Sequence, residues 1–480
     1  MTLAPRSSYF SLAFTDKSAK WKGWIEHNSN NNRSDSPQSC FARLPRRARN
    51  PTLNLKETSS AGPRPPSVMV LGVGAFAHGT AQILKDAGAT VSTYLTRNYG
   101  HYPPSLAGAT YARDRFPSPC PLLKELGVDL VVPMSIDWAQ APWGEELLGL
   151  NVPIFCPTGE GMRIERDRDF ARQTCEGFHI PFPQAHLAPN RLAAEKLLEE
   201  HPLPFVIKNP LCSPTSPIHT IVCESAADTR AWLRHIDYAE GAFLQEYLGR
   251  REAGHIALVS GGEIWSLVTN QEYKRAFAGN LGIIAGAPLG GLVEKDPADK
   301  YGLARELLLP LRPWFREVNY HGPIQVTAVR RQNKWHVIEY NIRTGVTSGA
   351  MLLRLLANPV ETLLATAQNK TLAPRFVRGR NFGCSLTLAG YGYPYIQIQG
   401  PRLPVEVTSP LDCDLWWNEV ASDGAAGLVA TGHRIADVVA FGATLDQAIA
   451  AAYANICKIR SLGSYFRPDI GRTLWPPGSD

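Results

Sequence analysis

His336-Val337-Ile338-Glu339-Tyr340-Asn341-Ile342-Arg343 places a carboxylate and an amide oxygen two residues apart near the end of an apolar run. In a strand, residues i and i+2 project from one face, so Glu339 and Asn341 present their oxygens together. Hard cations such as Mg²⁺ take oxygen ligands, and in nucleotide sites one or two protein groups suffice because phosphates fill the rest of the shell. The pattern reads as a metal-nucleotide clamp, or as a strand ending in polar residues before the Thr344-Gly345 turn. The segments around it have to decide.

Upstream, strands follow one another with short turns: residues 204–208, 242–248, 255–259, 263–268, 323–329 and 335–340, with Ser260-Gly261-Gly262 as one hairpin turn. This is antiparallel grammar. Lys208 ends the first of these strands, where a lysine can reach nucleotide phosphates as a point charge. Gln245-Glu246-Tyr247-Leu248 ends the second, where main-chain groups can bond an adenine edge, and Glu252 lies within reach of a ribose hydroxyl. Each residue alone also reads as an ordinary surface group. The order Lys208, Glu246-Tyr247-Leu248, Glu252, Glu339-x-Asn341 is more specific than any member.

Further out the grammar changes. Residues 68–71, 90–95, 128–133 and 152–156 are apolar runs separated by turns and a short helix at 80–86, which is βαβ alternation and predicts an open parallel sheet. Gly72-Val73-Gly74 turns from strand to helix and can offer amides to an anion, but Ala77 stands where a third glycine would complete GxGxxG. Residues 165–200 read as helices around His179-Ile180-Pro181. From about 372 a third unit carries strands at 384–388 and 435–441 and an amphipathic helix at 445–460. The expected organisation is a tail (1–66), a Rossmann-like domain (67–164), a central domain (165–371) and a small C-terminal α+β domain (372–480).

A chain of 480 residues exceeds one ordinary domain. No window has the apolar length of a membrane span, and the nine cysteines are scattered without a CxxC pair, which argues against zinc knuckles and disulfide frameworks. A reducing cytoplasm fits. The net charge of +6 suggests nucleic acid until it is located: residues 1–66 hold eleven Lys/Arg and four Asp/Glu, leaving the remainder near −1. That tail lacks periodicity and reads as disorder, or as an upstream extension of a chain that starts at Met69, immediately before the first strand. Small molecules, not nucleic acid or membrane, are the expected partners, with a monomer or weak homodimer.

Taken in order, these segments resemble the ATP-grasp ligases, and within them the glycinamide ribonucleotide synthetase, or phosphoribosylamine-glycine ligase, family. The likeness runs through residues 70–78 (VLGVGAFAH), Asn98-Tyr99-Gly100, Phe155-Cys156-Pro157-Thr158, Gln271-Glu272-Tyr273-Lys274-Arg275, 337–343, Gly392-Tyr393-Pro394, Ala430-Thr431-Gly432 and 465–471. It implies an α/β and α+β multidomain chain with an ATP-grasp fold. It implies purine-biosynthetic chemistry in which ATP phosphorylates the glycine carboxylate and phosphoribosylamine attacks the acyl phosphate. By resemblance, Arg168, Lys208, Glu246, Tyr247, Leu248 and Glu252 bind ATP, Glu339 and Asn341 hold Mg²⁺ or Mn²⁺, and Asn98 and Gly100 bind phosphoribosylamine. Lys274 and Arg343 are the catalytic candidates, holding anionic groups near the acyl phosphate.

The sequence departs from the family where chemistry is handled. The glycine-rich phosphate loop corresponds to residues 209–220 (NPLCSPTSPIHT), which have no glycine and three prolines, and proline lacks an N–H and stiffens the backbone. Arg168 stands for a lysine. The family's RFGDPE appears as Arg343-Thr344-Gly345-Val346-Thr347-Ser348, losing both acids, and its GPE turn as Met134-Ser135-Ile136. Two other readings follow: a carboxylate-amine ligase with a different substrate pair, or a non-catalytic nucleotide-binding paralogue.

Overall fold

Ser67-Val68-Met69-Val70-Leu71 is buried throughout, as a strand covered on both faces must be. The computed structural model describes residues 64–97, 103–212, 220–390, 392–395, 402–424 and 427–472. The basic tail (1–63), Asn98 and Gly100, and residues 213–219 of the expected phosphate loop lie outside the described residues. Strand β1 (Ser67–Leu71) pairs in parallel with β2 (Thr90–Leu95) and β4 (Leu130–Pro133), and β3 (Ala109–Ala112) lies beyond β2. The expected strand at 152–156 contributes only an isolated bridge, Ile154 to Val131. Met69 is the third residue of β1, not its forerunner.

The helix after β1 starts earlier than expected, at Gly74, and runs to Asp86. Gly74 has φ +70°, and a Cβ there would lie 2.1 Å from Asn418 Oδ1. That same oxygen accepts from the Ala75 N–H at 3.2 Å. The turn that resembled an anion site therefore gives a first-turn amide to a side chain from the C-terminal region.

A second sheet, in the order β5-β8-β6-β7, is antiparallel and comprises β5 (Ala185–Ala188), β6 (Phe205–Lys208), β7 (Ile221–Val222) and β8 (Ala242–Glu246). Its apolar face is covered by the helices Arg191–Glu200 and Ala226–Trp232. Asn190 and Ser225 cap them, accepting from the N–H groups of Ala193 and Asp228 at 3.0 Å.

The largest sheet has eight strands in the order β15-β14-β9-β10-β13-β16-β21-β18. These are β9 (Glu252–Ser260), β10 (Glu263–Glu272), β13 (Gly290–Lys295), β14 (Gly322–Arg331), β15 (Lys334–Asn341), β16 (Phe382–Ala389), β18 (Asp414–Trp417) and β21 (Arg434–Gly442). Gly261 and Gly262 both take positive φ (+61° and +72°), which closes the tight β9–β10 hairpin. A hairpin of β11 (Arg275–Phe277) and β12 (Leu281–Ile284) leaves the end of β10. A last small sheet holds β17 (Leu403–Val407), β19 (Val420–Ser422), β20 (Leu428–Ala430) and β22 (Ile459–Arg460). Because β13 pairs with β16, the main sheet runs through position 371 into the C-terminal region. The C-terminal helix, Leu445–Ile456, opens on a Thr444/Gln447 capping box and stops short of 460, where Ile459 and Arg460 pair with β17 instead.

One irregularity positions the site. Along β15, Glu339 lies opposite Thr327 of β14, but Val337 lies opposite Ala328, so Ile338 is an extra residue in a β-bulge. The bulge breaks the alternation. Trp335, Val337, Tyr340 and Ile342 all reach the core, packing with Ile324 and Val326 and with Met69, Leu71 and Tyr94 of the parallel sheet. Glu339 and Asn341 fall on the other face, beside Thr327 and Gln325.

Candidate functional site

That face lines a cavity of about 560 Å³ between the second sheet and the main sheet, bounded by Lys208, Glu246, Tyr247, Leu248, Glu252, Glu272, Lys274, Gln325, Glu339, Asn341 and Arg343. Of the sequence-predicted residues, all but three line it. Arg168 reaches it through an ion pair, Nη1 to Glu339 Oε2 at 3.9 Å, while Asn98 and Gly100 are outside the described residues.

The bulge supplies more than a face. Freed from the regular ladder, the Ile338 carbonyl accepts from Lys208 Nζ at 3.4 Å and from Gln245 Nε2 at 3.2 Å. Lys208 also donates to Gln245 Oε1 at 2.8 Å. Lys208 is only 2 % exposed. Burial, with Arg168 and Lys274 nearby, outweighs the pull of Glu339 and Glu252 and lowers its ammonium to about 7. An incoming polyanion would restore its charge.

Glu339 is the electrostatic centre. Burial alone would raise its carboxyl, but Lys274, Lys208, Arg168 and Arg343 together hold it down at about 2, so it is ionised at neutral pH. Lys274 bridges two acids, Nζ to Glu252 Oε2 at 2.9 Å and to Glu339 Oε1 at 3.5 Å. Burial disfavours its charge, yet Glu252, Glu339 and Glu272 outweigh that and raise its pKa. An ammonium thus sits between acids at a point where the field favours a cation. An ionised carboxylate with the Asn341 amide two residues on is a donor set that suits a hard divalent ion.

At the end of the cavity beyond β8, the Glu246 and Tyr247 N–H groups donate to Gln184 O and Pro204 O, both at 2.8 Å, which fixes the segment that continues into Leu248. The Glu246 carboxylate turns to Arg331 at 2.8 Å. Tyr247 OH donates to Glu224 at 3.2 Å, and Glu224 also pairs with Arg250 and with Arg275, the latter at 2.7 Å. Arg168 Nε donates to Asn209 O at 2.9 Å, holding the chain where the proline-bearing loop begins.

The far end holds groups that sequence reasoning did not single out. Glu165, its side chain 4 % exposed, pairs with Arg343 Nε at 3.3 Å and accepts from the Ile342 N–H at 2.6 Å. Burial raises its carboxyl against the pull of Arg343. Glu272 and Gln325 also face the cavity. Glu272 stood beside Lys274 in a segment already set apart, and Gln325 is a polar residue inside an apolar strand. Those were the available signals. Elsewhere, His255, Asp296 and Asp299 gather with ligand atoms within 4.8 Å of one another. There Asp296 accepts from the Lys300 N–H and Asp299 from those of Ala304 and Arg305, as in a turn leading into a helix.

No protein-family model matches the chain. It is similar to curated phosphoribosylamine-glycine ligases: that of Leifsonia xyli subsp. xyli, 29 % identical over 341 residues (67 % of this chain, 78 % of that one), and that of Caulobacter vibrioides, 25 % over 367 residues (73 % and 84 %). The Streptomyces coelicolor protein of the same name is 24 % identical over 421 residues, 84 % of this chain and 98 % of that one. Among solved structures, the phosphoribosylamine-glycine ligase of Thermotoga maritima superposes with TM-score 0.68 at 21 % identity, covering 84 % of this chain and all of that one. A Campylobacter jejuni biotin carboxylase, solved as a complex with beta-gamma-ATP, gives 0.61 at 13 % identity, covering 83 % and 92 %.

Proposed function

Because this chain is a divergent protein of the phosphoribosylamine-glycine ligase type with an ATP-grasp fold, we propose that it joins glycine to 5-phosphoribosylamine at the expense of ATP, in purine biosynthesis. The observation that carries this is the β15 bulge, which turns Glu339 and Asn341 into a cavity where Lys208, Lys274, Arg168 and Arg343 surround one ionised carboxylate.

A carboxylate is a poor electrophile, so phosphorylation must first supply a leaving group. A glycine carboxylate oxygen attacks the γ-phosphorus and ADP departs. The phosphoribosylamine nitrogen then attacks the acyl carbon, loses a proton, and expels phosphate. In this reading Glu246, Tyr247 and Leu248 border the adenine, Glu252 accepts from the ribose, and Lys208 and Arg168 hold the phosphates. Lys274 and Arg343 face the anionic charge that builds around the acyl phosphate. Glu339 and Asn341 would hold Mg²⁺ or Mn²⁺, which supplies charge neutralisation between phosphates when bound. Asn98 and Gly100 are assigned to phosphoribosylamine. The domain limits at 66, 164 and 371, a cytoplasmic location and a monomer or weak homodimer belong to the same proposal.

Arg343 favours a second reading beside the first. Its partner here is the buried Glu165, and the acids of the family's RFGDPE are absent, so a ligase using another amine or acid also fits this end of the cavity. Purified protein given ATP, Mg²⁺, glycine and freshly generated phosphoribosylamine should release ADP and form the amide. ADP release only with some other pair would establish the second reading, and nucleotide binding without turnover under any pairing would overturn both.

A further inference from the structure

Three oxygens converge beside Gly345. A Cβ built on this glycine would lie 2.3 Å from Ser348 Oγ, 2.7 Å from Gln325 Oε1 and 3.3 Å from Glu272 Oε1. Gln325 is 2 % exposed, and its Oε1 accepts no hydrogen bond from the described residues; the same holds for Oδ1 of Asn270, 1 % exposed. Orphaned buried acceptors are costly unless something donates to them. Both residues, with Glu272, Glu252 and Thr327, also line a side pocket of about 10 Å³ off the main cavity. That is room for one water-sized group.

Ser348 Oγ reaches Glu272 Oε1 at 3.5 Å, and the charged donors nearby are engaged elsewhere. Lys274 points its ammonium at Glu252 and Glu339, and Arg343 directs Nε to Glu165. What is missing is a small group with several N–H donors and a positive charge. We infer that Glu272, Gln325 and Ser348 form the subsite for the ammonium group of the amino-acid substrate. The inference rests on the ligase reading for its substrate. It adds that the acid is recognised as a zwitterion: its ammonium against the Glu272–Gln325–Ser348 oxygens, its carboxylate toward Arg343, which borders the same cavity. Gly345 lacks a side chain because a methyl group there would press on all three oxygens.

The test compares glycine with acetate, which has the carboxylate but no ammonium, by titration calorimetry on the full chain saturated with Mg-ADP. Wild type should bind glycine at least about tenfold tighter than acetate, the scale of a charge-assisted contact. E272Q and Q325L should each bring the two ligands within about threefold, with ADP affinity and melting temperature unchanged, and G345A should do the same by filling the space. An unchanged glycine-to-acetate ratio in E272Q, or no glycine preference in wild type, overturns the subsite. So does a K⁺-dependent rise in wild-type melting temperature that E272Q abolishes while glycine has no effect, since the oxygens would then belong to a metal ion. Glycine-dependent ADP release at the wild-type kcat/KM in E272Q would remove the subsite and leave the ligase. Glu272-dependent glycine binding without ADP release from wild type would do the reverse.

Discussion

The two ends of one cavity differ in how they are built. At the end proposed for the nucleotide, Lys208, Glu246 to Leu248, Glu252, Glu339 and Asn341 keep the order of the family the chain resembles, on or just beyond the ends of strands, with one bulge beside Glu339. At the acid end the family's acids are gone, and Glu165, Glu272 and Gln325 arrive from three other segments. A nucleotide asks the same of every ATP-dependent ligase, whereas the acid end must fit a particular substrate. Divergence there changes what is joined more readily than whether ATP is used.

The contrast is broken most forcefully at Glu339. E339Q removes the charge around which four cations are arranged, and turnover should fall about 10³-fold while the variant stays folded at a somewhat lower melting temperature. Unchanged ADP release would end the clamp assignment. Next is the buried pair at the acid end: R343M leaves Glu165 buried without its cation, which should cost about 3 kcal/mol in urea unfolding, and E165M/R343M should recover most of it. A double variant as unstable as the single would show that the pair does not act as a unit.

A third region calibrates both. His78, in the first helix, accepts from the Trp417 N–H at 3.0 Å, and its burial outweighs that bond to lower its pKa to about 4. The unfolded chain, with an ordinary histidine, binds more protons between pH 4 and 6.5. The stability associated with a neutral His78 is therefore complete above pH 6.5 and is lost on acidification, by about 2 kcal/mol between pH 7 and 5. Urea midpoints of wild type and H78Q across that range should converge on acidification. Parallel curves would rule the histidine out. The smallest effect belongs to K208M, which should weaken ATP about tenfold and leave the glycine KM within about twofold. A larger change for glycine would mean that the two ends are not separate.

Much of this was legible in the sequence, for identifiable reasons. The strands that carry Glu339, Lys208 and Glu252 are short, mostly apolar runs with polar residues at their ends, and long-range order among a few polar strand ends survives divergence. The bulge at Ile338 was not legible, because one extra residue leaves no mark in composition, yet it decides which face Glu339 takes. Gly72-Val73-Gly74 reads from sequence more readily as a tight strand-to-helix turn than as an anion site, and in the structure its first-turn amide goes to Asn418, more than 340 residues away. Glu165 and Gln325 escaped notice since nothing local distinguishes a buried acid paired across the fold from a surface one.

If ATP activates the carboxylate as an acyl phosphate, glycine carrying ¹⁸O in both carboxylate oxygens, turned over with ATP and phosphoribosylamine, passes one ¹⁸O atom to each inorganic phosphate released. Unlabelled phosphate alongside amide formation would rule the acyl phosphate out.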